Sequence, residues 1–266
     1  MGTSRSDALV RLRSVFISDV HLGSRDCRAG ELLEFLASIE VDYLFLVGDI
    51  IDFWSLRRNF FWPQQHNEVV RAVLDKAREG TKVIYIPGNH DDDMRAFSGS
   101  VFGNLQIRRK YIHVTATGCE LLVMHGDEFD TAVKCSGWVA RLGGAAYDLA
   151  LWLNRSVNFC RRALGLPFWS LATYLKLRLP KAVRYIDAFE HAAARAAAQR
   201  NLGGVVCGHV HRAGMREIDG VLYCNDGDWV ESCTALVEEC SGQMALWSWT
   251  DTRGRLARGQ WLEVAA

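Results

Sequence analysis

The chain has 266 residues, 49% of them hydrophobic and 23% charged, with 31 Lys and Arg balanced by 31 Asp and Glu. This is an ordinary globular composition, long enough to bury a sizeable core, and the zero net charge argues against an acidic tail or a nucleic-acid partner. The eight cysteines are scattered without a CxxC pair, several inside apolar runs, and read as buried free thiols of a reducing compartment.

The N-terminal stretch lacks the apolar core and small-residue cleavage site of a secretory leader, and no apolar run is long enough to cross a bilayer. Gly2 and Ser6 fit the loose myristoylation pattern, but the pattern is short and a strand is expected to begin a few residues later. A cytoplasmic location is the expectation.

In chain order, "SVFIS" (14–18), "YLFLV" (43–47) and "KVIYI" (82–86) are short, apolar throughout and rich in β-branched and aromatic residues. Such runs suit strands buried on both faces. Between them, 30–39 and 67–79 carry apolar residues at helical spacing (Leu32, Leu33, Leu36; Val69, Val70, Val73). Alternating strands and helices predict an α/β sheet with crossover connections. Further strands are expected over 111–116 and 119–127.

Residues 129–200 read as helical, with Trp138, Leu142, Ala145, Leu149 and Trp152, then Val183, Ile186, Phe189 and Ala193, at helical spacing. The middle of this segment is basic: Lys134, Arg141, Arg155, Arg161, Arg162, Lys176, Arg178, Lys181 and Arg184 face a single acid, Asp148, between 131 and 186. Beyond residue 203 the texture becomes short runs with Gly and Asp turns, mainly antiparallel β, with Asp219-Gly220 as a hairpin signal.

Five apolar runs end in the same cargo. "FISDVHLGS" presents Asp19 and His21, "LVGDIID" presents Asp49, "IPGNHDD" presents Asn89 and His90, "LVMHGD" presents His125, and "VVCGHVHRAG" presents His209 and His211. Residues i and i+2 of an extended segment point to one side, so Asp19 with His21 and His209 with His211 are natural chelating pairs. The carboxyl ends of strands are where open α/β sheets place their ligands. Imidazole, carboxylate and amide oxygen without thiolate suit borderline divalent metals. Seven candidate ligands (Asp19, His21, Asp49, Asn89, His125, His209, His211) exceed one ion's needs. Two ions about 3.5–4 Å apart would use them all, with Asp49 as the bridge. His113 and His191, away from these junctions, read as packed or surface residues, and His66 is only loosely near one of them.

The order D-x-H, G-D, G-N-H-D, H-G-D, G-H-x-H resembles the calcineurin-like metallophosphoesterase superfamily, over most of the chain. The resemblance implies a single domain over 1–266, an α/β (α+β) fold built as a β-sandwich flanked by helices, and a helical lid inserted at 129–200. It implies that one metal takes Asp19, His21, Asp49 and His211, and the other takes Asp49, Asn89, His125 and His209. Manganese is the expected metal, with iron and zinc the alternatives. It also implies a phosphohydrolase in which a metal-bridging hydroxide attacks phosphorus in line. His90 then stabilises the transition state or protonates the leaving oxygen, and Asp91 orients its imidazole.

Within the superfamily the chain looks most like UDP-2,3-diacylglucosamine diphosphatase and its relatives in lipid A synthesis, which carry a comparable insertion after H-G-D. A basic, aromatic insertion suits a phosphorylated small molecule or a lipid-linked nucleotide, and peripheral contact with the anionic inner face of the bacterial inner membrane. Established diphosphatases of this group carry arginine at the position of His90. G-N-H-D is the form of general phosphoesterases and of the diphosphatase's paralogues, and "FFWPQQHN" and "NDGDWVES" also resemble that paralogue group. The alternatives are a soluble phosphodiesterase or protein phosphatase, and a metal-bearing scaffold without catalysis.

Overall fold

The computed structural model describes residues 9–131 and 178–249, together with Asn154, Val157 and Arg161. Strands β1 (Val10–Ile17), β2 (Ile39–Val47) and β3 (Lys82–Ile86) are successive parallel neighbours. Helix α1 (Ala29–Ser38) links the first two, and α2 (Phe53–Arg58) and α3 (Gln64–Arg78) lie between the second and third. A 3-10 helix, Asp92–Phe97, leads into β4 (Val101–Phe102) and β5 (Leu105–Ile107). Then follow β6 (Tyr111–Val114), β7 (Glu120–Val123), a 3-10 helix Asp127–Thr131, and helix α4 (Pro180–Ala198). Strands β8 (Gly204–Cys207), β9 (Gly214–Ile218), β10 (Val221–Asn225), β11 (Thr234–Glu238) and β12 (Met244–Ser248) complete the described chain.

The strands form two sheets, ordered β12-β11-β1-β2-β3-β5-β4 and β6-β7-β8-β10-β9. Burial on both faces explains the unbroken apolar runs. Alternate residues serve different layers: Val15, Leu44, Leu46 and Val83 pack with Leu32, Phe35, Val69 and Val73 of α1 and α3. Phe16, Phe45, Val47, Ile84 and Ile86 face inward and meet Leu121, Val123, Val206 and Cys224 of the second sheet. On that sheet's other side, Leu122, Val205, Cys207 and Tyr223 pack against Ile186, Phe189 and Ala193 of α4. The result is a β-sandwich with a helical layer on each side, as the family resemblance implies.

Asp219 and Gly220 both take positive φ (51° and 78°) and join β9 to β10 in a two-residue hairpin, the geometry that favours this dipeptide. One polar network lies between the sheets: Glu238 accepts from Ser14 Oγ (2.6 Å), Arg13 (2.8 Å) and the Ala116 amide (2.7 Å), and pairs with His113 Nε2 (2.7 Å). Of the expected insertion at 129–200, α4 is seated on the second sheet. The series Trp138–Trp152 and the bases Lys134, Arg141, Arg155, Arg162 and Lys176 lie outside the described residues.

Candidate metal centre

The carboxyl ends of β1, β2 and β3 and of β7 and β8 open on one rim, where the parallel registers of both sheets bring the five motif loops together. Backbone hydrogen bonds lock them side by side: Asp19 N to Gly48 O (3.0 Å), His21 N to Asp49 O (2.9 Å) and Gly208 N to His125 O (3.2 Å). Side chains tie across as well, His90 N to Asp49 Oδ1 (2.8 Å) and His209 N to Asp19 Oδ2 (2.9 Å). Close approach requires glycine here. A Cβ on Gly48 (φ +87°) would sit 2.2 Å from His125 Nδ1, and one on Gly208 would sit 2.2 Å from Ser18 Oγ.

Five of the predicted ligands hold left-handed backbone: Asp19 (φ 50°), His21 (53°), Asp49 (52°), His209 (70°) and His211 (50°). Non-glycine residues in this region cost roughly 1 kcal/mol or more each and gather at functional sites. Here the strain turns successive side chains toward one point. Three groups of ligand atoms lie within 4.8 Å of one another: Asp19, His21 and His211; His21, Asp49 and His90; Asp49, His125 and His209. Asp49 belongs to two of the three.

The imidazoles are pre-oriented. His125 Nδ1 donates to the Val47 carbonyl (2.8 Å), and His21 Nδ1 bonds Asp52 Oδ2 (3.2 Å). In each case Nε2 is left with its lone pair as a donor atom. His21 Nε2, His125 Nε2 and Asn89 Oδ1 are buried and have no hydrogen-bond partner among the described residues. Buried polar atoms are ordinarily satisfied, so this donor set of nitrogen and oxygen atoms fits a divalent cation.

Electrostatics point the same way. Burial alone would lower the His21 imidazole, but the Asp52 hydrogen bond and the Asp49 and Asp19 carboxylates bring it up to about 9. Burial likewise opposes protonation of His125, and Asp49 overrides it. Burial would raise the Asp19 carboxyl, whereas His211 beside it (3.0 Å) holds it far below the usual range. These carboxylates demand positive charge, which imidazole protons or a divalent cation can supply.

Several residues of the site were not expected from sequence. Asp52 accepts from the backbone N–H of Ser55 (2.7 Å), capping α2, and its carboxylate also holds His90 Nδ1 (3.0 Å) as well as His21. Asp52 therefore takes the role expected of Asp91. The Asp91 carboxylate turns inward instead, accepting from the amides of Gly88 (2.6 Å) and Ile50 (2.9 Å) and from the Tyr85 hydroxyl. Trp54 lies against His90 with ring centroids 4.2 Å apart. Asp130 sits 2.9 Å from His209 Nε2, and Asp228 4.0 Å from His211 Nδ1. Ser18 Oγ contacts Asp19 (2.5 Å) and Asp226 (2.6 Å). Burial pushes the Asp226 carboxyl well above the usual range. The residue spacing D-x-x-D in "GDIID" is the one sequence signal that pointed at Asp52. His66 lies outside the ligand cluster and accepts from the Gly23 amide (3.1 Å), holding the loop after His21.

The family model described as calcineurin-like phosphoesterase matches residues 12–213. Among curated proteins, the DNA polymerase II small subunit of Methanothermobacter thermautotrophicus is 26% identical over 151 residues, 43% of this chain. The match spans 30% of that relative's length. Similar solved structures include vacuolar protein sorting 29 from Cryptosporidium parvum (13% identity, 91% of this chain and 92% of that one, TM-score 0.45). Others are a novel archaeal phosphodiesterase (11%, 88% and 98%, 0.41) and a predicted phosphoesterase from Streptococcus pneumoniae TIGR4 (14%, 89% and 97%, 0.37).

Proposed function

This chain belongs to the calcineurin-like phosphoesterase family, metal-dependent phosphoester hydrolases, and from that premise we propose a dinuclear phosphohydrolase of the UDP-2,3-diacylglucosamine diphosphatase-like group. One ion would be held by Asp19, His21, Asp49 and His211, the other by Asp49, Asn89, His125 and His209. The observation that carries this reading is the set of buried, unsatisfied donor atoms His21 Nε2, His125 Nε2 and Asn89 Oδ1 around Asp49. When bound, the two cations lower the pKa of water and neutralise charge developing on the phosphoryl oxygens.

The remaining steps fall to the chain's own side chains. Asp52 engages His90 Nδ1 and leaves Nε2 free; when Nε2 also carries a proton, the imidazolium can hydrogen-bond a phosphoryl oxygen or hand that proton to the leaving oxygen. Asp91 supports the site from beneath by tying the Asp49–Ile51 backbone to the turn at Gly88. The basic, aromatic segment between 131 and 178 favours a phosphorylated substrate with an apolar part, such as a lipid-linked nucleotide, and a peripheral hold on anionic membrane. Among the described residues no helix is long and apolar enough to cross a membrane. Manganese is the metal of choice for this reading, with iron or zinc as alternatives.

His90 itself favours a second reading, a phosphodiesterase or protein phosphatase acting on a polar substrate. Turnover of UDP-diacylglucosamine, of acyl-shortened analogues, of cyclic nucleotides and of phosphopeptides separates the two. The lipid reading expects rates that fall as the acyl chains are shortened, and turnover indifferent to the chains overturns it. The dinuclear reading expects close to two metal ions per chain and loss of manganese-stimulated phosphodiester hydrolysis in Asp49→Ala. Unchanged activity in that variant overturns it.

A further inference from the structure

We propose that Asp130 and Tyr185 are positioning residues for His209, through which helix α4 controls one of the two metal positions. The proposal rests on the dinuclear reading above. His209 Nε2 lies 2.9 Å from Asp130 Oδ1, and the same oxygen accepts from the Tyr185 hydroxyl. With Nε2 engaged, Nδ1 is the nitrogen left for a cation, and His209 groups with Asp49 and His125.

A second contact from the same helix bears on the same ring. Phe189 follows Tyr185 by four residues, so both project from one face of α4. The Phe189 ring is fully buried, with its centroid 5.8 Å from that of His209 and tilted 33°. Gly126, one residue past His125, makes room for it: with φ +111°, a Cβ there would meet Phe189 Cζ at 2.6 Å. Phe189 therefore bounds the imidazole on one side while Tyr185 and Asp130 hold its Nε2.

The bracing differs from that of the neighbouring imidazoles. His21 is held by Asp52, three residues past a ligand, and His125 by the last carbonyl of β2. The His209 brace comes instead from helical segments outside the strand-end loops, from Tyr185 of α4 and from Asp130 in the 3-10 helix after β7. A carboxylate on Nε2–H fixes the tautomer and makes Nδ1 more basic; loss of such a partner typically weakens metal binding about 10–100-fold. Asp130 is 48% exposed, so its removal leaves the fold close to intact.

The experiment uses the full chain stripped with chelator and titrated with zinc or manganese, read by calorimetry and elemental analysis. The wild type is expected to bind two ions. Asp130→Ala should keep one at wild-type affinity and weaken the other about 10–100-fold. Tyr185→Phe should weaken the same ion by less, since the ring remains. Asp130→Asn, whose amide oxygen still accepts from Nε2–H, should recover most of the loss, a rescue that a purely structural role would not produce. Two ions bound normally in Asp130→Ala, or both weakened equally, overturns the proposal. Fewer than two ions in the wild type overturns the dinuclear reading itself, and this inference with it.

Discussion

Among the described residues, two buried clusters of histidine and carboxylate are built on opposite principles. Around Glu238, both carboxylate oxygens are occupied by Ser14, Arg13, His113 and the Ala116 amide, and none of these residues takes positive φ. At the strand-end rim, His21 Nε2, His125 Nε2 and Asn89 Oδ1 lack partners among the described residues, and five of the predicted ligands hold left-handed backbone. A satisfied buried network contributes to the fold. An unsatisfied, strained one is retained by something it binds. The presence of histidine and acid in the core does not separate the two cases; the unspent donor atoms do.

This contrast is broken most directly by exchanging the consequences of mutation. Asp49→Asn is isosteric and tolerates the left-handed φ. It should reduce metal-dependent phosphoester hydrolysis by at least about 10³-fold while leaving the unfolding free energy within about 1 kcal/mol or raising it. Glu238→Ala should do the reverse. It leaves His113 and Arg13 without their shared partner, costing about 3–5 kcal/mol, while metal bound per folded chain stays at the wild-type level. Activity and denaturant unfolding on the same preparations test both. Loss of metal in Glu238→Ala with stability intact would end the distinction.

The sequence displayed one side of this contrast and hid much of the other. Strands β1, β2 and β3 were legible because burial on both faces leaves apolar runs, and the five motif loops because each run stops at a His, Asp or Asn. Helix α2 was not legible: it has six residues and none buried, so there is no periodicity, and it starts where Asp52 caps Ser55. Both residues of β4 are exposed, and it is equally silent. The braces were hidden for another reason. Asp130 meets His209 across 79 positions and Asp52 meets His21 across 31, and only the sheet topology brings them together. Asp91 misled by adjacency: next to His90 in sequence, it points into the turn beneath it. His113 and His191 are packed and surface residues, as expected, the second bonded to the Asp187 carbonyl one turn back (2.8 Å).

Acid sharpens the comparison with a somewhat smaller effect. Burial would raise the Glu238 carboxyl, but His113, Ser14 and the Ala116 amide hold it at about 2, below its ordinary 4.5. A carboxylate depressed on folding stabilises the native state fully above its unfolded pKa, and that contribution disappears as pH falls through the folded one. For Glu238 the window runs from about pH 4.5 down to about 2, and the amount is on the order of 3 kcal/mol. Wild type should therefore lose stability relative to Glu238→Gln across that window. Denaturant midpoints that move in parallel for the two proteins between pH 5 and pH 2.5 would show that Glu238 is not the anchor of a satisfied network.

His90 stands between the two principles, and it yields the smallest expected effect. Its Nδ1 is satisfied by Asp52 (3.0 Å), as a structural histidine would be, while its ring also groups with His21 and Asp49. Trp54 supports it with an indole 4.2 Å away and tilted 35°, on a side chain left 46% exposed. Such aromatic contacts are worth about 0.5–1.5 kcal/mol. If the indole fixes the plane in which Nε2 meets the phosphoryl group, Trp54→Ala should lower kcat about tenfold with KM nearly unchanged, because an interaction made in the transition state is the one lost. Trp54→Phe should restore most of the rate by restoring the stack. A rise in KM at constant kcat would instead assign Trp54 to the substrate, and would leave the orientation of His90 to Asp52 and the His21 ring.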